Sequence, residues 1–243
     1  MKRSICIILA ILLCVAAVFP MTVSAETYKL SGTDMSITVD DSSWYVFTRD
    51  NIENNPQLEE LGITYERIYS ILHDNNAYMD AALFVDGGVT EILVVKTAGA
   101  SNIVNMSDYS DAKILEEAAS LAKEKGIENY SVYEGQFKFI RFESYEPSVG
   151  VYLCEYLTII NKDIYCIKVQ SGVPFEEWQY DEMTGIIDSI SFDIDETLVK
   201  EAKIASGSRV LTNVLIAGAT GAVSVTLKVL FGKKKNQEED SQN

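Results

Sequence analysis

The chain has 243 residues, and its 36 Asp plus Glu outnumber its 20 Lys plus Arg to leave a net charge of −16 at neutral pH. Such a surface repels polyanions, which excludes nucleic acid as a partner and leaves cations, basic partners or plain solubility as its meaning. One histidine and four cysteines leave little material for metal or nucleophile chemistry.

At the N-terminus, Lys2 and Arg3 precede an apolar run from Ile5 to Phe19, followed by Pro20 and the small triplet Val23-Ser24-Ala25. That order is a secretory signal peptide, residues 1–25, cleaved after Ala25. Fifteen apolar residues at about 1.5 Å each fall short of a hydrocarbon core about 30 Å thick, so the run does not read as a span. Cys14 follows Leu12-Leu13 inside the run rather than a small residue, which argues against lipid attachment there.

From Tyr28 to Phe192, period-two runs alternate with helix-period runs. Residues 26–192 therefore read as one extracytoplasmic domain of α/β (α+β) class, a mostly antiparallel sheet with helices packed on its faces. Strands are expected at Tyr28 to Leu30, Met35 to Val39 and Tyr45 to Thr48. Asn55-Pro56 opens a short helix closed by Gly62, and Thr64 caps a helix from Tyr65 to Asn75 with Ile68, Ile71 and Leu72 inward. Met79 to Val85 and Thr90 to Thr97 follow as strands joined through Asp86-Gly87-Gly88, a tight turn that demands antiparallel neighbours. The helix from Asp111 to Lys125, ended by Gly126, is expected to bury Ile114, Leu115, Ala118, Leu121 and Ala122. Tyr130 to Phe137 and Lys138 to Glu143 are the next strands.

Val151 to Ile160 and Asp163 to Val169 read as a hairpin turning at Asn161-Lys162. That turn pairs Ile160 with Asp163, Glu155 with Lys168, Cys154 with Val169 and Cys166 with Leu157. The two cysteines left after maturation then point to opposite faces, and free thiols are expected. Pro174 is expected to start a last helix burying Phe175, Trp178, Ile186, Ile187 and Ile190. Beyond Phe192 the composition turns polar, and residues 193–209 read as an acidic stalk or frayed helix.

Val210 to Leu227 carries no charged residue, and a snorkelling Lys228 extends the usable helix to Phe231, about 22 residues in all. Residues 210–231 thus read as a transmembrane helix, the single C-terminal span of a cell-membrane protein. The cluster Lys233-Lys234-Lys235 keeps the tail, residues 232–243, cytoplasmic and the N-terminal domain outside. Ala217, Gly218, Gly221 and Ala222 form a helix-association face on which a homodimer would close. The outer segment 26–208 holds 13 Lys plus Arg against 33 Asp plus Glu, a net charge of −20.

Motifs for common chemistry are missing from the sequence: there is no Gly-x-Ser-x-Gly elbow, phosphate loop or two-histidine zinc pattern. His73 sits beside Asp74 at a helix end, where an imidazole is usually structural. The acidic groups Asp40-Asp41 and Asp193, Asp195, Glu196 lack calcium-loop spacing. No catalytic residue, cofactor or metal ligand is assigned. Tyr130, Tyr133 and Tyr145 are the candidate ligand-facing aromatics, because Tyr on an open sheet face can hold a peptide or glycan strand. Tyr also suits half-buried strands, so packing is the competing role.

Met35-Ser36-Ile37-Thr38-Val39 with Trp44-Tyr45-Val46-Phe47-Thr48-Arg49, and Ile187-Asp188-Ser189-Ile190-Ser191-Phe192, resemble the opening hairpin and the closing helix and strand of the Mog1/PsbP-like superfamily. The likeness covers the outer domain and extends to secreted members from Gram-positive bacteria. Where the family has a proline just before the tryptophan, this chain has Asp41-Ser42-Ser43. The resemblance implies an antiparallel sheet with helices on its faces, used for binding or assembly. The expected function is a membrane-anchored extracytoplasmic module for a protein, peptide or envelope component. A surface hydrolase built on acidic-loop carboxylates and a structural envelope spacer stay open as alternatives.

Overall fold

A computed structural model describes residues 25–40, 42–85, 88–99, 101 and 103–205. The expected signal peptide through residue 24, the run Val210 to Phe231 with its expected helix-association face, and the expected tail lie outside them. Among the described residues no helix is long and apolar enough to cross a membrane.

Three short strands come first: β1 (Ala25–Lys29), β2 (Met35–Asp40) and β3 (Tyr45–Thr48). Helices α1 (Gln57–Leu61) and α2 (Tyr65–Asp74) lead into the hairpin of β4 (Ala77–Val85) and β5 (Gly88–Thr97). After α3 (Asp111–Lys125) come β6 (Asn129–Glu134), β7 (Lys138–Glu146), β8 (Val151–Ile160) and β9 (Asp163–Ser171). The described part closes with α4 (Glu177–Asp188), β10 (Ser191–Phe192) and α5 (Glu196–Ala205). The class is α+β. Seven strands form one fully antiparallel sheet in the order β3-β4-β5-β9-β8-β7-β6, while β1, β2 and β10 form a separate antiparallel sheet.

The period-two pattern explains the layers. On one face of the large sheet, Tyr156, Tyr165, Ile167 and Val169 pack against Met35, Ile37 and Val39 of the small sheet and Met183 and Ile187 of α4. On the other, α3 lays Ile114, Ala118 and Leu121 over Ile140, Phe142 and Leu157, and α2 lays Ile68 and Leu72 over Phe47 and Leu93. Burying each such side chain contributes roughly 1.5–3 kcal/mol before entropy is counted.

The β8–β9 register is the one read from the turn: Ile160 opposite Asp163, Glu155 opposite Lys168, Cys154 opposite Val169 and Leu157 opposite Cys166. Asn161 and Lys162 both take positive φ, 51° and 70°, as a two-residue hairpin turn of this hand requires. Cys154 and Cys166 are free and buried in clusters on opposite sides of the sheet. An intact mass short by two hydrogens would contradict free thiols; the expected result is the fully reduced mass, with both thiols alkylated only after unfolding.

Several expectations need correction. Met35–Val39 and Trp44–Arg49 do not form a hairpin, because β2 belongs to the small sheet and β3 pairs with β4. Asp40 directs the crossing. Its carboxylate accepts the Ser42 N–H (2.9 Å) and the Ser42 and Ser43 hydroxyls (2.7 and 3.2 Å). Leu115 is 44% exposed rather than buried: α3 packs on β6 and β7, where the sheet ends, so only a narrow stripe of the helix is covered. Trp178 is 45% exposed, since α4 buries the face marked by Gln179, Met183, Ile186 and Ile187, about 100° round from it. That helix begins at Glu177, not Pro174, because the Glu176 N–H donates to Gln179 Oε1 (2.8 Å) and Glu176 stays extended. β6 stops at Glu134 and leaves Phe137 in a turn.

The start of the expected stalk is ordered. Asp195 Oδ1 accepts the Thr197 N–H (2.8 Å) and caps α5, while Asn161 donates to Asp34 Oδ2 (3.0 Å) and the Asp193 carbonyl (2.8 Å) and accepts the Asp195 N–H (2.9 Å). One turn residue thus fastens the chain's exit from the domain.

Candidate functional site

Tyr145 on β7 and Tyr152 on β8 stand directly opposite each other, and their rings lie 4.7 Å apart between centroids. Phe175 and Tyr180, 5.7 Å apart, approach from the start of α4. Together with Glu128 and Glu143 they line a cleft of about 610 Å³ at one end of the large sheet. Tyr145 is 52% exposed, so the cleft presents an aromatic wall to solvent. Gln179 holds the helical wall in place. It is 2% exposed, and its Nε2 donates to Thr90 Oγ1 on β5 at 2.7 Å.

Behind Tyr180 the same sheet face carries Arg141, whose guanidinium lies 5.3 Å from the Tyr180 ring and 5.9 Å from the Tyr156 ring and is paired with Glu143. Its buried Nε makes no hydrogen bond. Cys154 lies alongside. Burial pushes its thiol up, and the hydrogen bonds with Arg141 and Tyr156 offset this only in part. Cys166, on the far face, is pushed up to about 12 by burial first and by the Glu155 charge second. Neither supplies thiolate at neutral pH. His73 is exposed and stacked on Tyr69 at 4.0 Å, while both thiols are sealed in the core.

The three candidate tyrosines separate. Tyr145 lines the cleft. Tyr133 belongs to the neighbouring packed cluster: its hydroxyl donates to Asp188 Oδ1 (2.7 Å) and its ring meets Tyr156 edge-on at 5.5 Å. Burial, then Asp188, pushes the phenol up to about 12. A Cβ on Gly135 would come within 2.7 Å of Asp188 Oδ1, so a side chain there would displace the carboxylate that the Tyr133 hydroxyl bonds. Tyr130, 37% exposed, sits opposite Phe142 on the α3 side. No sequence motif groups Tyr152, Phe175, Tyr180 and Gln179. Only Glu176-x-x-Gln179, a capping-box spacing, signals one of them.

Most acidic groups considered from the sequence have local structural tasks. Asp40 shapes a turn, Asp195 caps α5 and Asp193 pairs with Lys29 at 3.1 Å.

These features define the class: an α+β sheet domain carrying an aromatic-lined surface cleft. No protein-family model matches the chain, and no curated protein is similar to it.

Proposed function

We propose that this protein is an exported, single-pass membrane protein that displays a Mog1/PsbP-like binding or assembly module outside the cell. The observation that carries the binding reading is the open cleft walled by Tyr145, Tyr152, Phe175 and Tyr180. Flat, rigid rings offer large contact area at little entropic cost, which suits a peptide or an envelope glycan. The leader, the apolar run and the lysine cluster support the placement, and the small-residue face of the run supports pairing of two copies.

A photo-crosslinking amino acid at Tyr145, activated in intact cells, is expected to give a defined adduct that Tyr152→Ala plus Tyr180→Ala reduces. Absence of any adduct would sink the cleft as a binding site. In the same cells a cysteine at Ser241 should resist a membrane-impermeant thiol reagent; labelling from outside would overturn the orientation.

A further inference from the structure

The two edges of the seven-stranded sheet are treated differently. At β3 the outer backbone groups are closed by the chain's own side chains: the Val46 N–H donates to Gln57 Oε1 (2.9 Å), the Val46 carbonyl accepts from Asn51 and Asn55 (3.1 and 3.0 Å), and the Thr48 N–H donates to Asn51 Oδ1 (2.7 Å). The opposite edge is β6, and nothing comparable covers it among the described residues.

Which β6 groups face outward follows from the ladders. A two-residue turn makes Ile160–Asp163 a hydrogen-bonded pair, and hydrogen-bonded pairs alternate along each antiparallel ladder. Carried through β8 and β7, this alternation leaves the N–H and C=O of Tyr130, Val132 and Glu134 pointing away from β7. Carried the other way, it leaves Val46 and Thr48 outward on β3, the two residues that are capped there. The β6–β7 register contains no bulge, and Asn129 to Glu134 contains no proline, lysine or arginine, so the usual protections of an edge are missing.

We infer that β6 is a strand-addition site for an extended basic segment of a partner protein. Exposed Glu128 and Glu134 bracket the edge, and the Asp111 carboxylate adds its charge beside Glu134. A second copy fits poorly: antiparallel self-pairing centred on Ser131 sets Glu128 against Glu134 at both ends, in an outer segment of net charge −20. A strand with Lys or Arg six residues apart meets both acids on one face, while backbone bonds to Tyr130 and Val132 supply the pairing. This rests on reading the domain as a binding module, not on the cleft.

The probe is the heptapeptide Lys-Val-Thr-Val-Thr-Val-Lys, added at high concentration to the purified full chain and followed by amide hydrogen exchange and titration. Slowed exchange at Tyr130 and Val132 is expected, with binding weakened about tenfold by Val132→Pro, which removes an outward N–H. Glu128→Lys with Glu134→Lys should abolish binding without touching the backbone, which keeps the test valid if the proline variant unfolds. Equal binding of the same peptide with Glu at both ends, or no protection at β6, would overturn the inference. So would self-association of the full chain that Val132→Pro abolishes, which assigns the edge to a second copy. A Tyr145 adduct without β6 protection would fail this inference alone and leave the cleft reading standing.

Discussion

Replacing Trp44 with alanine is expected to destabilise the folded domain by about 3–5 kcal/mol, a large share of the roughly 5–15 kcal/mol that holds a domain together. Trp44 is 2% exposed and stands where the chain leaves the small sheet for the large one, so its ring packs in the core that joins the two layers. Few neighbours can collapse into the space it would vacate, because the strands on either side are held by their own ladders. Its indole N–H also donates to Glu182 Oε1 of α4 at 3.1 Å. Trp44→Phe separates the two contributions, retaining most of the packing while losing that bond, and is expected to cost about half as much or less. Urea unfolding followed by Trp178 fluorescence and circular dichroism would measure both variants. A loss below about 1 kcal/mol for Trp44→Ala would show that this junction does not hold the layers together.

The second large effect is expected at Lys96. Its ammonium lies 2.7 Å from Asp163, with side chains only 11% and 15% exposed, and also donates to the Gly32 carbonyl at 3.1 Å. Lys96→Met leaves the carboxylate largely out of water with its main countercharge gone, at a cost of about 2–4 kcal/mol. Lys96→Met with Asp163→Asn removes both charges and should recover much of that loss. The pH dependence has a definite sign. Burial pulls the Lys96 ammonium down, but the Asp163 hydrogen bond, Tyr165 and the charges of Asp163 and Asp34 outweigh it, so the group ends above its ordinary 10.5. The folded state therefore holds this proton more tightly than the unfolded chain does. Its stabilisation is present in full below pH 10.5 and disappears as the pH climbs through the folded value. The gap between wild type and Lys96→Met, measured by denaturant unfolding, should hold through neutral pH and narrow as the pH climbs past 10.5; narrowing near neutral pH would refute the assignment.

Much of this fold is legible in local chemistry. Asn161-Lys162 dictates a two-residue turn, and from that turn period-two geometry yields every pair of the β8–β9 ladder, including the cysteines on opposite faces. Gly62 and Gly126, both in left-handed backbone, end their helices where a glycine stop signal places them. The errors share a cause. Leu115 and Trp178 have the right residue type and nearly the right spacing, but burial depends on what lies opposite, and that is settled by strands distant in sequence. Met35–Val39 and Trp44–Thr48 look like one hairpin because both alternate and only a short turn separates them. Their assignment to different sheets depends on β10 and β4 competing for their edges.

The cleft shows the same division. Each aromatic was visible as a strand or helix residue, yet Tyr145 and Tyr152 meet Phe175 and Tyr180 only because β7, β8 and the start of α4 converge. By itself the sequence determined the acidic charge, the α+β pattern, the β8–β9 register and the helix stops, all of which depend on residues near one another in the chain. Only the tertiary structure decided the split into two sheets, the capping of β3, the open β6 edge and the gathering of the cleft. Those rest on which distant strands come to lie side by side, and local periodicity carries no record of that choice.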